Sequence, residues 1–154
     1  MWTWILGALV VVFVGLQFTN PARTNPPVVH DFLAAEDPPP PLAAMFRSAC
    51  YDCHSYETKW PWYSHIAPVS WLIADDVQGG RRHLNFSDWP VDDAGRAAKR
   101  LDNASEELGY KEMPPAKYQA IHPAARLTAD QRQQLLQGRD QEANRMKTVA
   151  ASGT

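Results

Sequence analysis

The chain has 154 residues, enough for one domain. Its 15 Lys and Arg against 17 Asp and Glu leave a formal net charge of −2, which excludes an electrostatically driven nucleic-acid binder. Thirteen prolines against eight glycines predict many rigid turns, and six tryptophans with five tyrosines are a heavy aromatic load.

Trp2 to Phe18 (WTWILGALVVVFVGLQF) holds no ionisable side chain. As a helix it spans roughly 25 Å, slightly short of a ~30 Å hydrocarbon layer. A buried core helix of this length would show a polar face, and this one does not. A cleaved signal peptide and a retained anchor compete. The apolar run is long for a signal h-region, no Lys or Arg precedes it and no A-x-A site follows. The pattern therefore predicts a single-pass anchor over residues 1–18, with Trp2 and Trp4 at one interface.

Residues 19–41 (TNPARTNPPVVHDFLAAEDPPPP) contain seven prolines. They predict an extended, polyproline-like tether that lets the following domain stand off the membrane. A helical stripe then begins: Leu42, Met45, Phe46, Ala49, Cys50 and Cys53 fall at i, i+3, i+4, i+7, i+8 and i+11. It predicts one amphipathic helix with both cysteines on its buried face.

Cys50-Tyr51-Asp52-Cys53-His54 reads C-x-x-C-H, the attachment pattern of a c-type haem. Two thiols one helical turn apart can add across the two vinyl groups of one porphyrin. The next residue, His54, is then carried under the ring as an iron ligand. A closed zinc site needs four ligands, and His30, His65, His83 and His122 are scattered without pairing. A thioredoxin-like motif expects a βαβ setting, absent here. A disulfide across so short a loop constrains little of the unfolded chain. Haem c is attached outside the bacterial cytoplasm, so the domain is expected to face the periplasm from the inner membrane.

Residues 55–65 predict an aromatic loop interrupted by prolines. Trp60, Trp62, Tyr63 and Trp71 are the candidate pocket wall. A second helix is expected from about Val69 to Val77, with Trp71, Leu72 and Ile73 buried and Gly79-Gly80 ending it. Arg81 and Arg82 follow as candidate partners of haem propionates. A third helix is expected over Asp92 to Leu108, with Gly109 just past its end. Thr128-Ala129-Asp130-Gln131 is a capping box opening a last helix to about Met146. Gly138 weakens that helix, and residues 149–154 are expected to be a frayed tail. No strand or internal repeat is evident.

The second axial ligand decides the chemistry, since a thioether raises the reduction potential and an imidazole lowers it. Met45 lies on the first stripe and reads as core; Met146 sits near a frayed end. Met113 stands in Lys111-Glu112-Met113-Pro114-Pro115 between two helices, where prolines stiffen the approach. Met113 is the favoured ligand over a gap-filling core role. His122, before Pro123, is the imidazole alternative, followed by His65, His83 and His30.

From Cys50 through Leu127 the chain closely resembles the small bacterial haem-binding domain family, cytochrome c-like proteins often carrying an N-terminal anchor. The shared pattern stands here as C-Y-D-C-H-S (50–55), W-P-W-Y-S (60–64), I-A-P-V-S-W-L (66–72), R-R-H-L-N-F-S-D-W (81–89), M-P-P (113–115) and H-P-A-A-R-L-T (122–128). The resemblance implies an all-α, cytochrome c-like fold over residues 42–148 around one covalent haem c. It makes Cys50 and Cys53 the thioether positions, His54 the proximal ligand and Met113 the distal one. By looser analogy with mono-haem cytochromes, the Pro68 carbonyl would accept the His54 Nδ1 proton, with Pro61 the fallback. The sequence thus points to a membrane-tethered electron carrier that meets redox proteins and is not itself an enzyme. A haem sensor with a labile distal site, or a peroxidase-type enzyme, is the alternative.

Overall fold

The computed structural model describes residues 2–152. Among them the architecture is all-α: helices and 3-10 turns, with one isolated backbone bridge between His30 and Asp88 and no strand. Helix α1 (Trp2–Leu16) is apolar throughout and none of it is buried. The stretch Trp2–Thr19, with a mean hydropathy of 1.8, is long and apolar enough to cross a membrane.

Residues 19–41 are not a free spacer. A short helix α2 (Phe32–Glu36) forms inside them, with the Asp31 carboxylate capping the Ala34 N–H at 3.1 Å. Phe32 is only 1% exposed and lies at the centre of the core. Its ring sits 5.0 Å from Phe46 and Phe86 and 4.8 Å from Trp89. Burying one such side chain is worth about 1.5–3 kcal/mol. That exceeds the short-range propensity signal, which reads this segment as linker. The rest of the segment is held by side chains of the domain. A polyproline-like backbone makes no bonds to itself, so its carbonyls are free to accept. Trp71 Nε1 donates to Thr19 O at 3.1 Å and Arg81 Nη1 to Thr24 O at 2.9 Å, while the segment's own Arg23 Nη1 donates to Ser64 O of the domain at 3.2 Å.

The amphipathic stripe at 42–54 forms two helices instead of one. Helix α3 (Pro40–Ala49) buries Leu42, Met45 and Phe46, and α4 (Tyr51–His54) starts after a break at Cys50. The break turns Tyr51 into the core. There it stacks on Phe86 at 5.2 Å and donates its hydroxyl to Asp31 at 2.8 Å.

Helix α5 (Val69–His83) runs through Gly79-Gly80 rather than stopping there. The physical reason is contact. A Cβ at Gly80 would lie 2.6 Å from the Cys53 carbonyl oxygen, so glycine lets α5 cross the C-x-x-C-H segment at backbone distance. Arg81, Arg82 and His83 are consequently the last helical turn. Trp71 and Leu72, expected to be buried, are 37% and 62% exposed.

Helix α6 (Ala94–Gly109) is capped by Asp93, whose carboxylate accepts the Arg96 N–H at 2.8 Å. That bond holds the Asp93 carboxyl below its ordinary range. A short helix α7 (Ala116–Ile121) follows the Met113 loop. Helix α8 (Ala129–Ser152) opens on the expected capping box: Gln131 N–H donates to Thr128 Oγ1 at 3.1 Å, and Gln131 Oε1 accepts from Thr128 N–H at 2.9 Å. It packs along α6 and continues past the expected end, so residues 149–152 are helical; 153–154 lie outside the described residues. Gly138 lets α8 approach Leu42 of α3.

Candidate haem site

A cavity of about 280 Å3 opens between α4, α5, the turn at Trp62–His65 and α7. Cys53, His54, Met113 and His122 all line it. Four elements distant in sequence therefore converge on one cleft, near the lower size limit of ligand sites, about 300 Å3.

His54 is the most constrained group. Its Nδ1 lies 3.0 Å from both the Gly80 and Leu84 carbonyl oxygens, so Nδ1 carries the proton and donates to them. Among the described residues Nε2 has no hydrogen-bond partner, and it is the nitrogen left for a metal. Burial pushes the imidazole pKa down, and the two carbonyls only partly offset this. The ring is thus held neutral, the state a metal ligand needs. The Pro68 carbonyl does not perform this role: it accepts the Trp71 N–H at 3.1 Å and stands outside the cavity. The crossing of α5 at Gly80 puts the end of that helix, rather than its beginning, against the histidine.

The thiols are free and kept protonated. Burial pushes Cys50 up to about 12 and Cys53 up to about 11, with neighbouring charge adding to each. Cys50 packs at the edge of the aromatic core, while Cys53 faces the cavity.

Met113 enters from the α6–α7 loop. Its carbonyl accepts from Arg132 Nη1 at 2.8 Å and its N–H donates to Glu107 O at 3.3 Å. The backbone is pinned, and among the described residues the thioether engages no donor. His122 is differently placed. Its Nδ1 lies 3.0 Å from Tyr118 O and its Nε2 3.2 Å from the Tyr63 hydroxyl, with its ring stacked on Tyr118 at 4.0 Å. Both its nitrogens are already used.

The other expected ligands are elsewhere. Met45 is buried in the core, and the Met146 side chain lies outside the described residues. His30 joins the tether to Ser87 and Trp89 through its backbone. His65 is exposed on its turn, and His83 Nδ1 pairs with Gly79 O at 2.8 Å.

Of the expected pocket wall, Tyr63 lines the cavity and Trp60, Trp62 and Trp71 do not. Trp60 Nε1 donates to Asn25 Oδ1 at 3.2 Å, so it braces the tether. Trp62 is 75% exposed. The two arginines are also redirected. Arg81 spends its guanidinium on Ser55 O, Thr24 O, Asn25 Oδ1 and Thr58 Oγ1, at 2.8–3.0 Å. Arg82 is exposed and outside the cavity. The cations that do line the cavity are Lys59 and Lys117, the latter bridged to Asp76 at 2.8 Å.

Sequence reasoning missed Tyr118 and Asp52. The Tyr118 hydroxyl donates to Asp52 Oδ2 at 2.6 Å, tying α7 to the haem motif. Burial and that carboxylate push the Tyr118 pKa well above its ordinary value. The usable signal was position: Asp52 sits inside C-x-x-C-H, and Tyr118 precedes His122 by one helical turn.

The donor set fits a haem. Among the described residues, one neutral imidazole with a free Nε2, one unpartnered thioether and the Cys53 thiol share a largely apolar cleft, with the Cys50 thiol one turn away at the edge of the core. Among the described residues no three His, Cys, Asp or Glu side chains converge as a metal site, which disfavours zinc. An all-helical fold with this cleft suits a haem. Residues 11–141 match the family model described as a haem-binding domain, so the chain belongs to that family and binds haem. The match reaches well beyond the motif-bearing stretch, into α1 at one end and α8 at the other. No curated protein and no solved structure matches.

Proposed function

We propose that the protein is a membrane-tethered, mono-haem c-type cytochrome that carries single electrons. In this reading Cys50 and Cys53 hold the haem covalently, His54 Nε2 and the Met113 sulfur are the axial ligands, and the domain faces the periplasm from the bacterial inner membrane. The observation that carries it is the contrast within one cleft. His54 has one nitrogen locked by two carbonyls and the other free. Met113 has a pinned backbone and a free sulfur, whereas both nitrogens of His122 are occupied. The haem supplies the one-electron couple; the protein fixes the ligands and excludes water. Retention of α1 is supported by Gln17, whose carboxamide pairs with both backbone groups of Ala67, at 3.0 and 3.3 Å. Cleavage after that segment would leave Ala67 without these partners.

The test is the Met113→Ala variant, matured with haem and compared with wild type by visible spectroscopy and redox titration. The expected result is loss of the weak sulfur-to-iron charge-transfer band and a lower potential. An unchanged band and potential would remove Met113 from the iron. A colourless wild type, or colour lost on acid–acetone extraction, would remove covalent haem altogether.

A second reading is favoured by one observation: the cleft also presents the hydrogen-bonded pair Tyr63–His122. Such a pair could steady a small molecule bound where a labile Met113 had left. Rapid carbon monoxide binding by reduced wild type would support this sensor role over electron carriage, and peroxide turnover would support an enzyme.

A further inference from the structure

The segment that joins α1 to the domain is fastened along its length. Gln17 clamps Ala67, Asn20 Oδ1 accepts from the Ser70 hydroxyl, Thr19 O accepts from Trp71, and Arg23 reaches Ser64. All four partners lie in one corner: the turn at Trp62–His65, the link that follows it, and the first turn of α5. The end of α1 and this corner therefore move as one piece.

The same corner carries exposed aromatic surface outside the cavity. Phe18 is 86% exposed, Trp62 75% and Trp71 37%, and none of the three lines the cavity. Trp71 is within hydrogen-bonding distance of the residue after Phe18. Large aromatics at the end of an apolar helix are the surface that suits the headgroup boundary of a bilayer, where one end of the ring is apolar and the other wet.

We propose that the 62–71 corner rests on the lipid surface, with Phe18, Trp62 and Trp71 as its contacts, so that the haem cleft sits at a fixed low height over the bilayer. This rests on the reading of α1 as a retained membrane anchor. Val69 and Leu72, which line the cavity from the same corner, then place one rim of the cleft next to the membrane. Redox partners that suit this geometry are those whose own electron-transfer group lies close to the membrane plane. A partner reaching tens of ångströms outward would not meet the cleft.

The test uses the full-length, haem-loaded protein in vesicles of phosphatidylcholine and phosphatidylglycerol. Both native cysteines are then in thioether bonds, so an introduced cysteine takes a nitroxide label uniquely. Labels are placed by Trp62→Cys, Val12→Cys and Tyr110→Cys, the last at an exposed position on the end of α6. Collision with oxygen and with a water-soluble nickel complex is read by power-saturation electron paramagnetic resonance. The proposal expects nickel accessibility at 62 several-fold below that at 110, with oxygen favoured at 12 and 62. Adding Gln17→Ala to the 62-labelled protein should raise its nickel accessibility by freeing the corner. A water-like signal at 62 with a lipid-like signal at 12 would overturn the resting corner and leave the anchor standing. A water-like signal at 12 would overturn both. Lipid-like signals at 62 and 110 alike would overturn a contact confined to this corner.

Discussion

Two adjacent glycines should respond to alanine with opposite signs. In a helix interior, alanine is favoured over glycine by about 0.8–1 kcal/mol. At Gly79 the nearest atom to an added Cβ is Arg82 Nη2 at 3.8 Å, an ordinary contact. Gly79→Ala should therefore stabilise by about 1 kcal/mol, or roughly 3–5 °C in melting temperature for a domain of this size. At Gly80 the added carbon meets Cys53 O at 2.6 Å, Cys53 C at 3.1 Å and Cys53 Cβ at 3.3 Å. These are backbone and near-backbone atoms that cannot swing aside. Overpacking of this kind costs about 1–3 kcal/mol, and backbone contact puts it at the upper end. Set against the helix gain, Gly80→Ala should lose about 2 kcal/mol, or roughly 6–10 °C. Far-ultraviolet circular dichroism melts of the haem-loaded variants measure both. Because the Gly80 carbonyl also holds His54, the visible spectrum of Gly80→Ala should shift while that of Gly79→Ala stays put. A Gly80→Ala protein that melts at or above wild type with an unchanged spectrum would refute the crossing of α5 over the haem motif.

Phe32→Ala should lose about 3–5 kcal/mol by urea unfolding, as a core aromatic does, whereas a free tether would show almost no change. Tyr51→Phe removes the hydroxyl donated to Asp31 and should cost about 1–2 kcal/mol in the same assay. Thr128→Ala breaks the capping box of α8 and should cost about 1 kcal/mol, seen as a lower melting temperature with an unchanged haem spectrum. His122→Ala should leave the reduction potential near wild type, in contrast to Met113→Ala; a large rise would assign the iron to the imidazole, the ligand that lowers the potential.

The parts of the site written in local spacing were legible. C-x-x-C-H placed Cys53 and His54 at the cleft, and the Met-Pro loop placed Met113 there. The capping box at Thr128 and the aspartates before α6 marked those helices because capping is a short-range bond. Everything that depended on a long-range partner was misread. Gly79-Gly80 looked like a stop because glycine ends helices more often than it admits a crossing backbone. Arg81 looked like a propionate ligand, since nothing in its neighbours announces Thr24 and Asn25, more than fifty residues upstream. The Pro-rich stretch hid Phe32, a single aromatic in a segment whose composition reads as solvated. The tryptophans misled for a related reason: an indole can face a cofactor, brace a tether through its N–H or sit at a surface, and composition does not distinguish these.

The two residues between Cys50 and Cys53 each fasten the motif to a different part of the chain. Tyr51 reaches back 20 residues to Asp31, while Asp52 accepts from Tyr118, 66 residues further on. Closing a loop of 20 residues costs less entropy than closing one of 66, so the Asp31 latch is the easier of the two to form. The motif is therefore tied more readily to the N-terminal segment than to α7.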